Sequence, residues 1–187
     1  TRHHGTAFES AEAHEQHLFM LEEAVKRAHR KLGRELGLFM FSPRVGTGLP
    51  LWLPKGAILR DILIDFMKKE QLARGYEPVV TPHIGNSKLF EKSGHIITYK
   101  EKMFPFMEVE SEGDDEKETY ILKPMNCPFH IEIYASQMRS YRDLPVRYAE
   151  FGTVHRFEQS GEVTGILRAR GFTQDDAHLF VTPDQLQ

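Results

Sequence analysis

"VRYAEFGTVHRFEQSGEVTGILRARGFTQDDAHLF", residues 146–180, is the stretch on which the reading of this chain turns. Its two ends alternate apolar and polar residues, and the middle, "QSGEVTGILRAR", holds glycines and arginines. The simplest reading is two strands joined by an arginine-bearing loop. Alternate positions of a strand face one side, so Gln174, Asp176, His178 and Phe180 share a face. Three polar groups in a row are not buried without partners, because an unpaired buried polar group is costly. They face solvent or form the floor of a site.

Upstream, the apolar residues Leu18, Leu21, Val25, Ala28, Leu32 and Leu36 recur at helical spacing, which predicts one surface or linker helix over residues 10–37, capped by Ser10. A second helix is expected over residues 56–74, with Ile58, Ile62 and Phe66 on one line and Gly75 as its stop. "YEPVVTPHI" then reads as a strand ending at Pro82, and "NSKLFEKSGH" as a short helix capped by Asn86 or Ser87 and ended by Gly94. "MFPFMEVE" and "ETYILKP" flank the acidic "SEGDDEKE", expected to be a solvated hairpin tip. A helix over "CPFHIEIYASQMRS" precedes the two strands, and "TPDQLQ" looks like the first turn of another, with Pro183 at its first position. Consecutive strands among helices predict an α+β domain with a largely antiparallel sheet. A domain that stops at such a turn looks cut.

Composition bounds the function. A chain of 187 residues is long enough for one core, and 40% hydrophobic with 27% charged residues is the balance of a soluble globular protein. No apolar run approaches the roughly 20 residues of a membrane span, and the N-terminal stretch lacks the apolar centre of a signal peptide. A cytoplasmic address without membrane partners is therefore expected. A net charge of -3 gives no global attraction to nucleic acid, so any RNA contact must be local. The single cysteine, Cys127, excludes an internal disulfide and leaves a buried small residue, a nucleophile or a metal ligand.

Local chemistry narrows this further. Arg156 and Glu158 stand two apart on an expected strand and project from one face. The arginine can fork onto a phosphate; the bland alternative is a cross-strand ion pair. Arg168 and Arg170 across the loop add positive charge, and Phe172 can stack on a base or simply fill core. "CPFH" sets Cys127 near His130, a weak metal signal by itself, since a zinc site wants three or four ligands.

Taken together, these segments resemble the class II aminoacyl-tRNA synthetases. Residues 56–84 look like motif 1, ending in Pro82, and residues 147–180 like motif 2, with its Phe-Arg-x-Glu pattern written here "HRFE". Within the class, "KPMNCPFH" paired with "RGFTQDDAHLF" resembles the threonyl-tRNA synthetases over nearly the whole chain. The resemblance implies a residue-by-residue site. Arg156 would bind the α-phosphate of ATP and act in catalysis, Glu158 would sit by the adenine amino group, Phe172 would stack on adenine, and Arg168 would contact phosphate or the tRNA end. Met125, Gln174 and Asp176 would line the threonine pocket. Cys127 and His178 would be two of three zinc ligands, with magnesium accompanying ATP.

Partners implied are L-threonine, ATP, tRNA(Thr) and a second copy through motif 1. Residues 1–37 would lead into a partial catalytic domain at 38–187. The family's third zinc ligand, motif 3 and the editing and anticodon-binding domains have no counterpart here, and Phe129 stands where the family often has glycine. His130 is assigned a structural role. A non-catalytic truncated paralogue, serving as a dimerisation or binding module, is the alternative.

Overall fold

The computed structural model describes residues 2, 4–110 and 117–186. Helix α1 (Ala11–Lys26) begins at Ser10, whose hydroxyl accepts from the Ala13 N–H at 3.1 Å, and it buries none of its residues. The single helix expected over residues 10–37 is broken. Ala28 is extended, with ψ of 123°, and a separate α2 (His29–Glu35) follows. Redirecting the chain lays Gly33 on the Phe39 ring so closely that a Cβ there would come within 2.4 Å of it. Tertiary packing overrides the helical periodicity at that point.

Strands β1 (Phe39–Met40) and β2 (Leu51–Trp52) pair as an antiparallel hairpin leading into α3 (Pro54–Ala73). Pro54 suits the first turn, where its missing N–H would have no partner in any case. Gly75, at φ of 76°, ends the helix as its sequence predicts.

The strand expected to run to Pro82 shrinks to β3 (Glu77–Pro78). Pro78 and Pro82 lack the N–H that a longer ladder needs, although the Val79 N–H still reaches the Ala149 carbonyl at 3.0 Å. β4 (Ile84–Asn86) and α4 (Ser87–Lys92) follow, with the Asn86 side chain accepting from the Lys88 N–H and Gly94 left-handed before α5 (His95–Tyr99). β5 (Met107–Val109) and β6 (Glu118–Leu122) pair antiparallel across the acidic stretch, most of whose residues lie outside those described. α6 (Cys127–Ala135) is shorter than expected, its end tied by the Ser136 hydroxyl donating to the Ile133 carbonyl.

β7 (Val146–His155) and β8 (Gly171–Phe180) pair over their full length, from Val146↔Phe180 to His155↔Gly171. The described strands form three sheets: β1–β2, β3–β7–β8 with β3 parallel, and β4–β6–β5. The α+β, largely antiparallel expectation holds. Phe90, Met103 and Ile121 form the apolar core, packed by Leu89, Ile96 and Phe129. Phe129 meets Phe90 edge to face, and Gly85 makes room for its ring.

Candidate active site

The β7–β8 register assembles the site. Residues directly opposite on an antiparallel pair share a face, and here Glu150 opposes Asp176, Gly152 opposes Gln174, and Val154 opposes Phe172. Along β8, Gln174, Asp176, His178 and Phe180 are all half-buried while Asp175, Ala177 and Leu179 are exposed. The polar face read from sequence is therefore a shielded face, and Asp175 lies on the other, held by Gln71 of α3.

At one end of this face, polar side chains satisfy each other out of water. Glu150, 4% exposed, takes hydrogen bonds from the Thr81 N–H at 2.8 Å, from the Thr81 hydroxyl at 3.0 Å and from His130 Nε2 at 3.0 Å. Lys123, 1% exposed, donates to Thr81 Oγ1 at 2.6 Å and lies 3.6 Å from the Glu150 carboxylate. Burial alone would push the Glu150 carboxyl up, but His130, Thr81 and Lys123 outweigh it and hold the group below its usual value. Burial pushes Lys123 down against the raising pull of Glu150.

Beside that network, buried Asn126 donates to Asp176 Oδ2 at 2.9 Å. Its amide crosses β7 at Gly152, where an added Cβ would come within 2.4 Å of Oδ1. His178 meets His130 nitrogen to nitrogen at 2.9 Å, with the rings edge to face. Burial lowers the His178 pKa, and the neighbouring His130 adds to this, against the opposing pull of Asp176. Cys127, half-buried at the first position of α6, has its thiol pushed up by burial and by Asp176. Met125 is half-buried two residues earlier.

The other end is wetter. "HRFE" does not continue the strand: β7 stops at His155, and the Glu158 N–H turns back to the Arg156 carbonyl at 2.8 Å. Arg156 lies over the Phe172 ring at 5.2 Å. Glu158 is buried and takes Lys102 at 3.0 Å and Arg168 at 3.1 Å. Lys102 also holds Glu162 at 2.8 Å, and with the Gln159 N–H it lowers that carboxyl to about 2. The ion pair anticipated from sequence thus exists, but it joins Glu158 to Arg168 and leaves Arg156 free to stack.

Sequence reasoning missed Thr81, Lys123, Asn126, Glu150 and Gly152. The available signal was an acid, Glu150, inside the apolar run "RYAEFGT" opposite the polar face of β8.

A zinc ion needs three or four protein donors, or three and a substrate. Among the described residues no group of three or more Cys, His, Asp or Glu side chains is placed to hold a metal. Cys127 and His178 supply one thiol and one imidazole of the right chemistry, both within electrostatic reach of Asp176. They fit two positions of such a site.

The face thus carries a half-buried arginine on an aromatic ring at one end and, toward the other, an acid, an imidazole and a thiol. Residues 106–187 match the family model described as the tRNA synthetase class II core domain (G, H, P, S and T). The sequence is similar to threonine–tRNA ligases. The chain is 61% identical to the Synechocystis sp. enzyme over 99% of its own length and 31% of the relative's, and 62% identical to that of Gloeobacter violaceus over 99% and 29%. It thus spans about 31% of the length of the relatives it matches. A solved structure of the RNA binding domain of threonyl-tRNA synthetase from Cryptosporidium parvum Iowa II superposes with a TM-score of 0.75 and 44% identity, covering 84% of this chain and 38% of that one. A Giardia lamblia prolyl-tRNA synthetase in complex with prolyl-adenylate, 19% identical, shares the fold at a TM-score of 0.72 over 87% of this chain and 32% of that one.

Proposed function

We propose that this chain is part of the catalytic domain of an enzyme that activates L-threonine with ATP and transfers it to tRNA(Thr), with residues 38–187 forming the catalytic portion behind a helical lead at 1–37. One observation carries the reading: the shielded face of β8 runs from Phe172, under Arg156, to Asp176 and His178, beside Cys127. A nucleotide at one end and an amino acid at the other would meet carboxylate to α-phosphate.

Arg156 is the group assigned to the α-phosphate. Its fixed charge offsets the negative charge that grows as the threonine carboxylate attacks, so catalysis is positioning and electrostatics, and no protein nucleophile is needed. Phe172 stacks on adenine, and Glu158 and Arg168 contact the nucleotide once their mutual pair opens. Magnesium travels with ATP.

Met125, Gln174 and Asp176 line the threonine pocket, and Asp176, oriented by Asn126, accepts from the substrate hydroxyl. A site built to pair a hydroxyl rejects valine strongly, because its own polar groups would be left without partners. Cys127 and His178 would hold a zinc ion, which when bound supplies a Lewis-acid anchor for the substrate amine and hydroxyl.

The apolar face of α3 supports a homodimer: Ile58 is 60%, Ile62 60% and Phe66 58% exposed. No described helix is long and apolar enough to cross a membrane, in keeping with a cytoplasmic location. The test is threonine-dependent exchange of pyrophosphate into ATP, measured on the polypeptide its source cells make. Exchange with threonine and not valine, lost in Arg156→Ala, is expected; no exchange, or exchange indifferent to Arg156, refutes the assignment.

A further inference from the structure

One cation beside Glu158 has no part in the reaction as proposed: Lys102, on the turn Lys100–Lys102 that follows α5. We propose that Lys102 is a positioning residue for base selection, anchoring Glu158 so that one carboxylate oxygen stays open to the nucleobase when Arg168 leaves for phosphate. Glu158 has that task only on the nucleotide reading above, on which this rests and which it deepens.

The contacts close a ring of alternating charge. Lys102 Nζ donates to Glu158 Oε2 at 3.0 Å and to Glu162 Oε2 at 2.8 Å. Arg168 Nε donates to the same Glu158 oxygen at 3.2 Å, and one of its terminal nitrogens lies 3.1 Å from that oxygen and 3.4 Å from Glu162 Oε1. Lysine and arginine have donors and no acceptor, so the direction of every contact is fixed. Both cations use Oε2 of Glu158, and its Oε1 accepts from no described residue. An open carboxylate oxygen takes the exocyclic amine of adenine and disfavours a base with a carbonyl in that place.

Once Arg168 turns to a phosphate, two acids share Lys102 alone. Lys102 is the cation suited to stay. Its side chain is 37% exposed against 48% for Arg168. Its carbonyl also accepts the Phe157 N–H at 2.8 Å, so main chain and side chain grip the β7–β8 loop together. Glu162 carries that grip onward by accepting the Gln159 N–H at 3.0 Å.

Two measurements on the polypeptide its source cells make test this. The first needs no nucleotide: hydrogen exchange, resolved to single amides, in the wild type and Lys102→Met. The Gln159 amide, bonded to the carboxylate that Lys102 holds, is expected to exchange about 5-fold faster, while the Phe157 amide, bonded to the residue 102 carbonyl, keeps its rate. Unchanged exchange at Gln159, or equal acceleration at both amides, overturns the side-chain anchor.

The second is equilibrium binding of Mg-ATP and of Mg-ITP, whose base has a carbonyl where adenine has its amine. The wild type is expected to prefer ATP, Lys102→Met to lose about 5-fold of that preference, and Lys102→Arg to regain it. A wild-type preference in Lys102→Met overturns the assignment. A wild-type chain with the expected exchange pattern and no preference for ATP sinks the nucleotide reading of Glu158 and leaves the anchor standing, so the two failures are told apart.

Discussion

The two ends of the β8 face are held in opposite ways. At the Glu150 end, Glu150, Lys123, Thr81 and His130 are buried and nearly every polar atom has a partner. At the Glu158 end, Lys102, Glu158, Glu162 and Arg168 form an ion-pair cluster in which the cations are 37% and 48% exposed. The same Coulomb attraction acts in both, but water screens the second and not the first. A buried network fixes geometry before substrate arrives, and a wet one exchanges partners cheaply. On the function proposed above, that suits selection of a small amino acid at one end and entry of a flexible triphosphate at the other.

The largest effect should come from breaking the buried end. Glu150→Ala strips the counter-charge from Lys123 and a partner from both His130 and Thr81, and is expected to destabilise the fold by about 3–5 kcal/mol in urea unfolding. A cost below about 1 kcal/mol would show that the two ends do not differ as described.

Next is Gly152→Ala. Its Cβ would strike the Asn126 amide, so either the amide or β7 must shift, at about 1–3 kcal/mol. The Asn126–Asp176 hydrogen bond should be lost with it, and the side-chain amide resonances of Asn126 would report this directly.

Acidification should separate smaller contributions by window. Burial, with His83 and Lys123, depresses the folded-state pKa of His155 below 6.5. The unfolded chain then binds the proton more readily, so stability should fall as pH drops below about 6.5 and level off beneath the depressed value. Glu150, also depressed, contributes stability above 4.5 that is lost as pH falls through its folded-state pKa. Urea midpoints from pH 8 to 3 should decline in two steps, and His155→Asn should shrink only the upper one, the remainder coming from His178, whose pKa is also depressed. Smallest of all, Lys102→Ala should leave the urea midpoint unchanged in high salt and alter only its salt dependence.

Much of this was legible beforehand, and the limits are physical. Strict alternation in "GFTQDDAHLF" carries the face of β8, because strand periodicity is local. The Glu150 network is not local: Thr81 lies 69 residues away and His130 twenty. Nothing in the sequence near Ala28 announces the break between α1 and α2, since apolar spacing continues through it and the cause is Phe39, beyond the helix. "HRFE" reads as strand from its alternation, yet β7 ends at its first residue, because the turn that follows is made by main-chain hydrogen bonding, which side-chain pattern does not register.

The parallel pairing of Glu77 with Tyr148 has a consequence for how the chain reaches its fold. β7 and β8 are separated by a loop of fifteen residues and can zip early, whereas β3 must wait until some seventy residues have emerged and closed. During synthesis α3 is therefore made long before the sheet that covers its Arg60 and Gln71 side, and Ile58, Ile62 and Phe66, more than half exposed even in the finished fold, are bare throughout. Cotranslational exposure of an apolar helix is a chaperone's cue. Pulse-labelled hydrogen exchange should find β7 and β8 protected first and β3 last.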